Sequence, residues 1–202
     1  MEQRTIKAVD TAFNYAVEKR DDGNEELIIE GYFARFGKPY YINEQMTEYL
    51  DEGCFDGVID GEDIRALINH DTSFVLGRTT AGTLKLEVTA DGLFGRVVIN
   101  PDDTSATDLY ARVKRGDVSQ CSFGFDIGEE EKKVNPDGSV EFHITKIAHL
   151  YEVSVCTFPA YEDTYVEARN AEFENIKRER LNAWKSEAKQ KLKERKSQNN
   201  GN

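Results

Sequence analysis

Val118-Ser-Gln-Cys-Ser-Phe-Gly-Phe125 reads as a β-strand, and that reading sets the class of the whole chain. Successive strand side chains point to opposite faces, so Gln120, Ser122 and Gly124 share one side and Ser119, Cys121 and Phe123 the other. Cys121 and Phe123 suit a core face. Ser122 then faces outward beside Gly124, whose missing side chain leaves room for another backbone to approach. Two serines and a cysteine within four positions are also three potential nucleophiles, although a half-buried strand often holds such small residues for packing alone.

Further strands surround this one. Glu26-Leu-Ile-Ile-Glu-Gly-Tyr-Phe-Ala-Arg-Phe36 is a strand, and Leu84, Leu86 and Val88 alternate with polar residues before an Ala90-Asp-Gly92 turn and the apolar run Leu93 to Ile99, a hairpin pattern. Val118 to Ile127 and Val140 to Phe158 add two more strands. They are separated by polar EEEKKVNPDGS, in which Pro136-Asp-Gly138 signals a turn. Ala106, Leu109, Tyr110 and Val113 fall at i, i+3, i+4 and i+7 between Pro101-Asp-Asp103 and Gly116, the pattern of an amphipathic helix with start and stop signals. A shorter helix is predicted over Glu44 to Glu52, ending at Gly53. Residues 1–166 are thus expected to form a β-rich α+β domain with mostly antiparallel strands.

From Glu167 the chain has no proline, and no glycine before Gly201. Phe173, Ile176, Leu181, Trp184, Ala188 and Leu192 approximate one apolar stripe among charges, so residues 167–202 are predicted to be a basic helical tail. Such a helix gains most of its stability from packing: it docks on the body, pairs with another chain, or frays toward the SQNNGN end.

Composition narrows the function classes. The chain has 202 residues, of which 39% are hydrophobic and 10% aromatic, enough for one sizeable core. No long uncharged apolar window and no apolar leader segment is present, so neither membrane insertion nor export is expected. Cys54, Cys121 and Cys156 are odd in number and lack CxxC spacing, which points to reduced thiols rather than a disulfide framework or a zinc site. Residues 167–202 hold ten Lys/Arg and six Asp/Glu; with a net charge of −12 overall, the first 166 residues carry −16. An acidic body repels phosphates, so nucleic acid is not an expected partner.

Histidine is the side chain best able to act as a general base near neutrality, and three are present. His70 ends the apolar run Ile64-Arg-Ala-Leu-Ile-Asn-His-Asp71, where a side chain is held yet meets solvent. His143 and His149 lie six apart in one predicted strand and share a face if no bulge intervenes, as on an ordinary solvent-facing side. A serine hydroxyl needs a base within hydrogen-bond reach and a third group to orient that base. Ser122 and His70 could supply the first two. Glu152, set among apolar residues in Tyr151-Glu-Val-Ser-Val-Cys-Thr-Phe-Pro-Ala160, is either a carboxylate that needs a buried partner or one that points out from an edge strand. No metal-ligand cluster or phosphate loop competes with this set.

The ordered series Gly53-Cys-Phe55, Leu67-Ile-Asn-His-Asp71, Val75-Leu-Gly-Arg-Thr79, Asp91-Gly-Leu93, Gly116-Asp-Val-Ser-Gln-Cys-Ser-Phe-Gly-Phe125 and Tyr151 to Ala160 resembles the prohead maturation proteases of tailed bacteriophages, the HK97 prohead protease family. The resemblance covers roughly residues 25 to 166. It implies a serine endopeptidase with a closed β-barrel surrounded by helices, similar to the herpesvirus assemblins, and no cofactor. It maps the family's histidine to His70, its serine to Ser122 and its third member to Glu152, with His149 or His143 as the fallback. Arg78 is a weaker candidate for assisting the oxyanion.

By the same resemblance, the partners would be the major capsid protein with its scaffolding segment and further copies of this chain. The place of action would be the immature capsid, or prohead, in the host bacterial cytoplasm. Cleavage of the scaffold and of the protease itself would drive capsid maturation, and self-cleavage could remove the tail. The alternative is a non-catalytic scaffold or capsid-interaction protein that keeps the framework. A thiol protease using Cys121 is disfavoured by the face that Cys121 occupies.

Overall fold

The structure, a computed structural model, describes residues 4–5, 14–19, 25–158 and 163–199. In chain order the elements are β1 (Arg4–Thr5), β2 (Asn14–Lys19), β3 (Glu25–Arg35), β4 (Tyr40–Asn43), β5 (Met46–Leu50), β6 (Arg65–Ile68), β7 (Asp71–Arg78), β8 (Leu84–Thr89), β9 (Gly92–Ile99), α1 (Thr104–Arg115), β10 (Gln120–Val134), β11 (Val140–Cys156) and α2 (Asp163–Asn199). The chain divides into two units, residues 1–162 and 163–202. Pro159 and Ala160, which close the glutamate-containing motif, and residues 200–202 at the chain end expected to fray lie outside the described residues.

Two sheets build the first unit. One has four antiparallel strands in the order β2-β3-β9-β8. The other has seven strands and is organised on β11: β10 pairs antiparallel along one edge of it, with β1 beyond, while β5 and β6 pair parallel with different lengths of its other edge. β4 continues from β5, and β7 from β6. Neither sheet closes on itself, so the closed barrel implied by the family resemblance is not what this chain forms. The two ladders stay separate where β10 passes β3. Phe33 is the extra residue of a bulge in the β3–β9 ladder, and the carbonyls of Tyr32 and Phe33 meet the Cys121 thiol at 3.2 and 3.4 Å. β10 therefore approaches β3 through a side chain at this crossing.

Local chemistry explains most of the elements. Asp103 caps α1 by accepting from the amides of Ser105 and Ala106, and Gly116 ends it in a left-handed conformation with φ 86°. The four residues at helical spacing, Ala106, Leu109, Tyr110 and Val113, are its buried ones.

Two predicted boundaries are corrected. Met46 to Leu50 is a strand, not part of a helix: Met46, Glu48 and Leu50 are buried, Thr47 and Tyr49 half-buried, and the segment pairs with Val140 to Ile144. β10 runs on through EEEKKV to Val134, because the polar arm is held by backbone pairing and by cross-strand charges such as Lys133 to Glu141 (2.8 Å). The turn itself is only Asn135 to Ser139, with the Gly138 amide donating to the Asn135 carbonyl.

The core lies between the sheets and α1. Phe123 stacks on Phe125 with ring centres 4.9 Å apart and meets Phe55 at 5.8 Å. Each such burial stabilises by about 1.5–3 kcal/mol. In the second unit, α2 leaves Leu181 and Trp184 exposed. No helix among the described residues is long and apolar enough to cross a membrane.

Candidate active site

β6 and β7 form a hairpin in which Ile68 pairs with Asp71, leaving Asn69 and His70 as a two-residue loop. Both have positive φ, 51° and 61°. That pair of angles marks a type I′ turn, whose twist matches the flanking strands. Asparagine and histidine are among the few side chains that enter this region with any frequency. The turn is tied to β11: the Asn69 amide donates to the Val155 carbonyl (3.1 Å), the Thr157 amide donates to Asn69 Oδ1 (2.9 Å), and the His70 amide donates to Ser154 Oγ (3.1 Å). His70 is thus placed by main chain and by a strained turn, and its ring need only rotate.

The ring meets Glu152, with Nδ1 2.8 Å from Oε1. Glu152 is 6% exposed and lies on β11 between β10 and β6, so it is buried in the sheet's interior rather than turned out from an edge. Its second oxygen, Oε2, accepts from Ser154 Oγ at 2.5 Å. An ionised carboxylate only accepts, so the ring must present Nδ1–H to it. In the neutral ring Nε2 then keeps its lone pair. That atom is buried and has no hydrogen-bond partner among the described residues.

Ser122 pairs directly with Ser154 across the β10–β11 ladder, and Gly124 with Glu152. Residues opposite one another share a face, with Cβ atoms about 4.5–5.5 Å apart. Ser122, Ser154 and Glu152 therefore stand on one face of the sheet. Cys121 and Phe123, opposite Val155 and Val153, stand on the other. One expectation is corrected: Ser122 does not face solvent but is 0% exposed, because this half of β10 is covered on both faces, with Cys121 to Asp126 all buried. Burial also pushes the Cys54 and Cys156 thiols up to about 12.

The remaining candidates are engaged elsewhere. His143 lies nine residues before Glu152 along β11, stacked on Tyr49 with ring centres 5.0 Å apart and 2.9 Å from Asp51. His149 is exposed and lies 3.3 Å from Glu62. Bulges in the ladder between them break the simple two-residue alternation. Arg78 is committed to Asp63, both bonds at 2.5 Å, and the two groups hold each other charged. Among the described residues no group of histidine, cysteine and acidic side chains is arranged to hold a metal ion.

Two clefts border the hairpin. One, of about 420 Å³, includes Glu152, Arg65, Leu67, Thr72 and His149. The other, of about 320 Å³, is formed by Ile68, Asn69 and Phe74 against Ser105, Asp108 and Arg112 of α1. Ser154 and Asn69 were not singled out from the sequence. The signal for Ser154 was its parity with Glu152, two residues earlier in a strand read as largely apolar. Chemically, the set joins a carboxylate to a histidine whose other nitrogen, in the neutral ring, can accept a proton, on the face that bears a serine.

The family model for caudovirus prohead serine proteases matches residues 13–179. The prohead protease of Enterobacteria phage HK97 is 31% identical over 170 residues, which span 79% of this chain and 72% of that protein. Among solved structures, the bacteriophage T4 capsid assembly protease, gp21, is similar with a TM-score of 0.47 and 12% identity, over 76% of this chain and 99% of that one.

Proposed function

We propose that this chain, which belongs to the caudovirus prohead serine protease family, cuts the scaffolding segments of the capsid protein, and itself, inside the immature shell. That it is a serine protease of capsid maturation follows from the family and from the relative at 31% identity. The specific substrates, the site residues and the place of action are our reading.

In that reading Ser122 is the nucleophile, His70 the general base and Glu152 the group that orients the base. As Ser122 Oγ attacks the scissile carbonyl, its proton passes to His70 Nε2. Glu152 keeps the other proton on Nδ1 and stabilises the imidazolium that forms. His70 then gives the proton to the leaving amine, and water, activated the same way, releases the acyl-enzyme. Backbone N–H groups stabilise the oxyanion. The observation that carries this is the 2.8 Å contact from Glu152 to Nδ1, together with the buried, unpartnered Nε2. The clefts beside the hairpin would take side chains of the peptide substrate.

The partners are the major capsid protein with its scaffold and, for an assembly enclosed in a shell, further copies of this chain. Residues 1–166 act as the protease domain. Residues 167–202 serve targeting or oligomerisation, and self-cleavage removes them. The test is co-expression of the parent chain and of Ser122→Ala with the capsid protein, followed by intact mass. Cut products from the parent alone are expected; identical uncut products from both would make the chain a non-catalytic scaffold protein.

A further inference from the structure

We infer that Ser154 is a fourth, positioning residue of this site, holding Glu152 and the His70 turn in one hydrogen-bonded ring. The inference rests on the reading of His70 as base and Glu152 as its orienting group.

The directions of its bonds are forced. Ser154 is 0% exposed, and its hydroxyl touches Glu152 Oε2 at 2.5 Å and the His70 amide nitrogen at 3.1 Å. A hydroxyl has one proton to give and two lone pairs to accept with. The carboxylate only accepts and the amide only donates, so the proton lies toward Glu152 and a lone pair faces His70. The ring then runs from the His70 backbone through Ser154 and Glu152 back to the His70 imidazole. It links the left-handed backbone of His70 to the carboxylate that sets the ring's tautomer, so the main chain and side chain of His70 cannot shift independently.

Ser154 also lies between the two strands that matter. It pairs with Ser122 of β10 on one side and with Leu67 of β6 on the other. A side chain there can relate the nucleophile's strand to the hairpin of the base. A hydroxyl is suited to the task, since alanine would leave the buried Glu152 oxygen and the part-buried His70 amide short of a partner.

A donated hydrogen bond stabilises the charged form of a carboxylate. Without it the carboxylate holds the imidazolium differently, so Ser154→Ala is expected to move the acidic limb of the pH–rate profile.

The experiment uses the full chain carrying Ser122→Ala, which prevents self-cleavage, with ring-labelled histidine followed by NMR across pH and His70→Gln for assignment. We expect the pH course of the His70 ring signals to shift on Ser154→Ala, and Ser154→Thr to restore the parent course. With Ser122 intact, Ser154→Ala should cut the capsid protein about tenfold more slowly or worse, yet lose less than the ~10⁴ that disabling the orienting carboxylate itself costs. An unchanged His70 titration with unchanged cleavage overturns the inference. If the His143 and His149 signals show that Ser154→Ala does not fold, Ser154→Cys, similar in size but a weak donor, carries the same comparison. Cleavage that persists in Ser122→Ala would instead reject the nucleophile and leave the His70 titration valid, so the two failures are distinguishable.

Discussion

Asn69 should cost the protein more when replaced by alanine than by glycine, an order that separates backbone strain from hydrogen bonding. At φ 51° the residue is left-handed, and its Oδ1 accepts from the exposed Thr157 amide at 2.9 Å. Both substitutions lose that acceptor, about 0.5–1 kcal/mol for an exposed bond. Both keep the bond from the residue 69 amide to the Val155 carbonyl. Glycine enters the left-handed region freely, whereas alanine pays roughly 1 kcal/mol there. The expected losses are therefore about 1 kcal/mol for Asn69→Gly and about 2 kcal/mol for Asn69→Ala. With a urea slope near 2 kcal/mol/M, the midpoints fall by about 0.5 and 1 M. Urea unfolding in the Ser122→Ala chain, followed by far-UV circular dichroism, reads both. Cleavage rates in the active chain should follow the same order, since His70 shares the turn. Equal midpoints for the two variants would show that the turn is not strained and that its positive angles do not set the position of His70.

Glu152→Gln keeps the shape of the buried group but lets an amide donate to Nδ1, which puts the proton on the wrong nitrogen. Cleavage should fall about 10⁴-fold with the fold retained, and a rate within tenfold of the parent would refute the orienting role. All three cysteines are buried, with Cys54 and Cys156 held up at about 12, so Ellman's reagent at pH 8 should label none in the native chain and all three in urea. Rapid native labelling would argue against that burial. The Lys133 ammonium, and after it the Asn135 amide, hold Glu141 at about 2 in place of 4.5. A depressed folded value stabilises above the unfolded value and is lost as pH falls through the folded one. Glu141→Gln should therefore lower the urea midpoint at pH 7 and lose that effect near pH 2; a difference that persists there refutes the pairing. A Cβ on Gly92 would lie 2.1 Å from the Ala34 carbonyl oxygen, whereas at Gly138 only the positive φ of 93° resists it. Gly92→Ala should cost about 3 kcal/mol or more and Gly138→Ala about 1, and similar thermal midpoints for the two would contradict the packing described.

What could be read from the chain follows the range of the forces involved. Helix α1 was legible because Asp103, the four apolar positions and Gly116 act within a few residues of one another. The separation of Ser122 from Cys121 was legible for the same reason, since alternation is local. Glu44 to Glu52 misled because the five residues of β5 are held extended by pairing, with β4 nearby and with Val140 to Ile144, 94 residues further along the chain. The polar arm of β10 misled because backbone pairing, which leaves no mark in side-chain hydropathy, holds charged residues in a strand. The burial of Ser122 depends on what covers the sheet, and the bulge at Phe33 has no local signature. In the site, Glu152 attracted notice as a charge among apolar residues. Ser154 did not, because a serine in a strand becomes informative only when its two partners are known.

All the groups of this site belong to one continuous ladder. β11 carries Glu152 and Ser154, its one edge binds the strand of Ser122, and its other binds the hairpin of His70. His70 itself sits on a two-residue loop, yet that loop is tied to β11 through the Asn69 and His70 amides, so loosening the ladder loosens the whole set. Catalytic turnover and the seven-stranded sheet should vanish together on heating, which makes residual turnover a gauge of how many molecules remain folded.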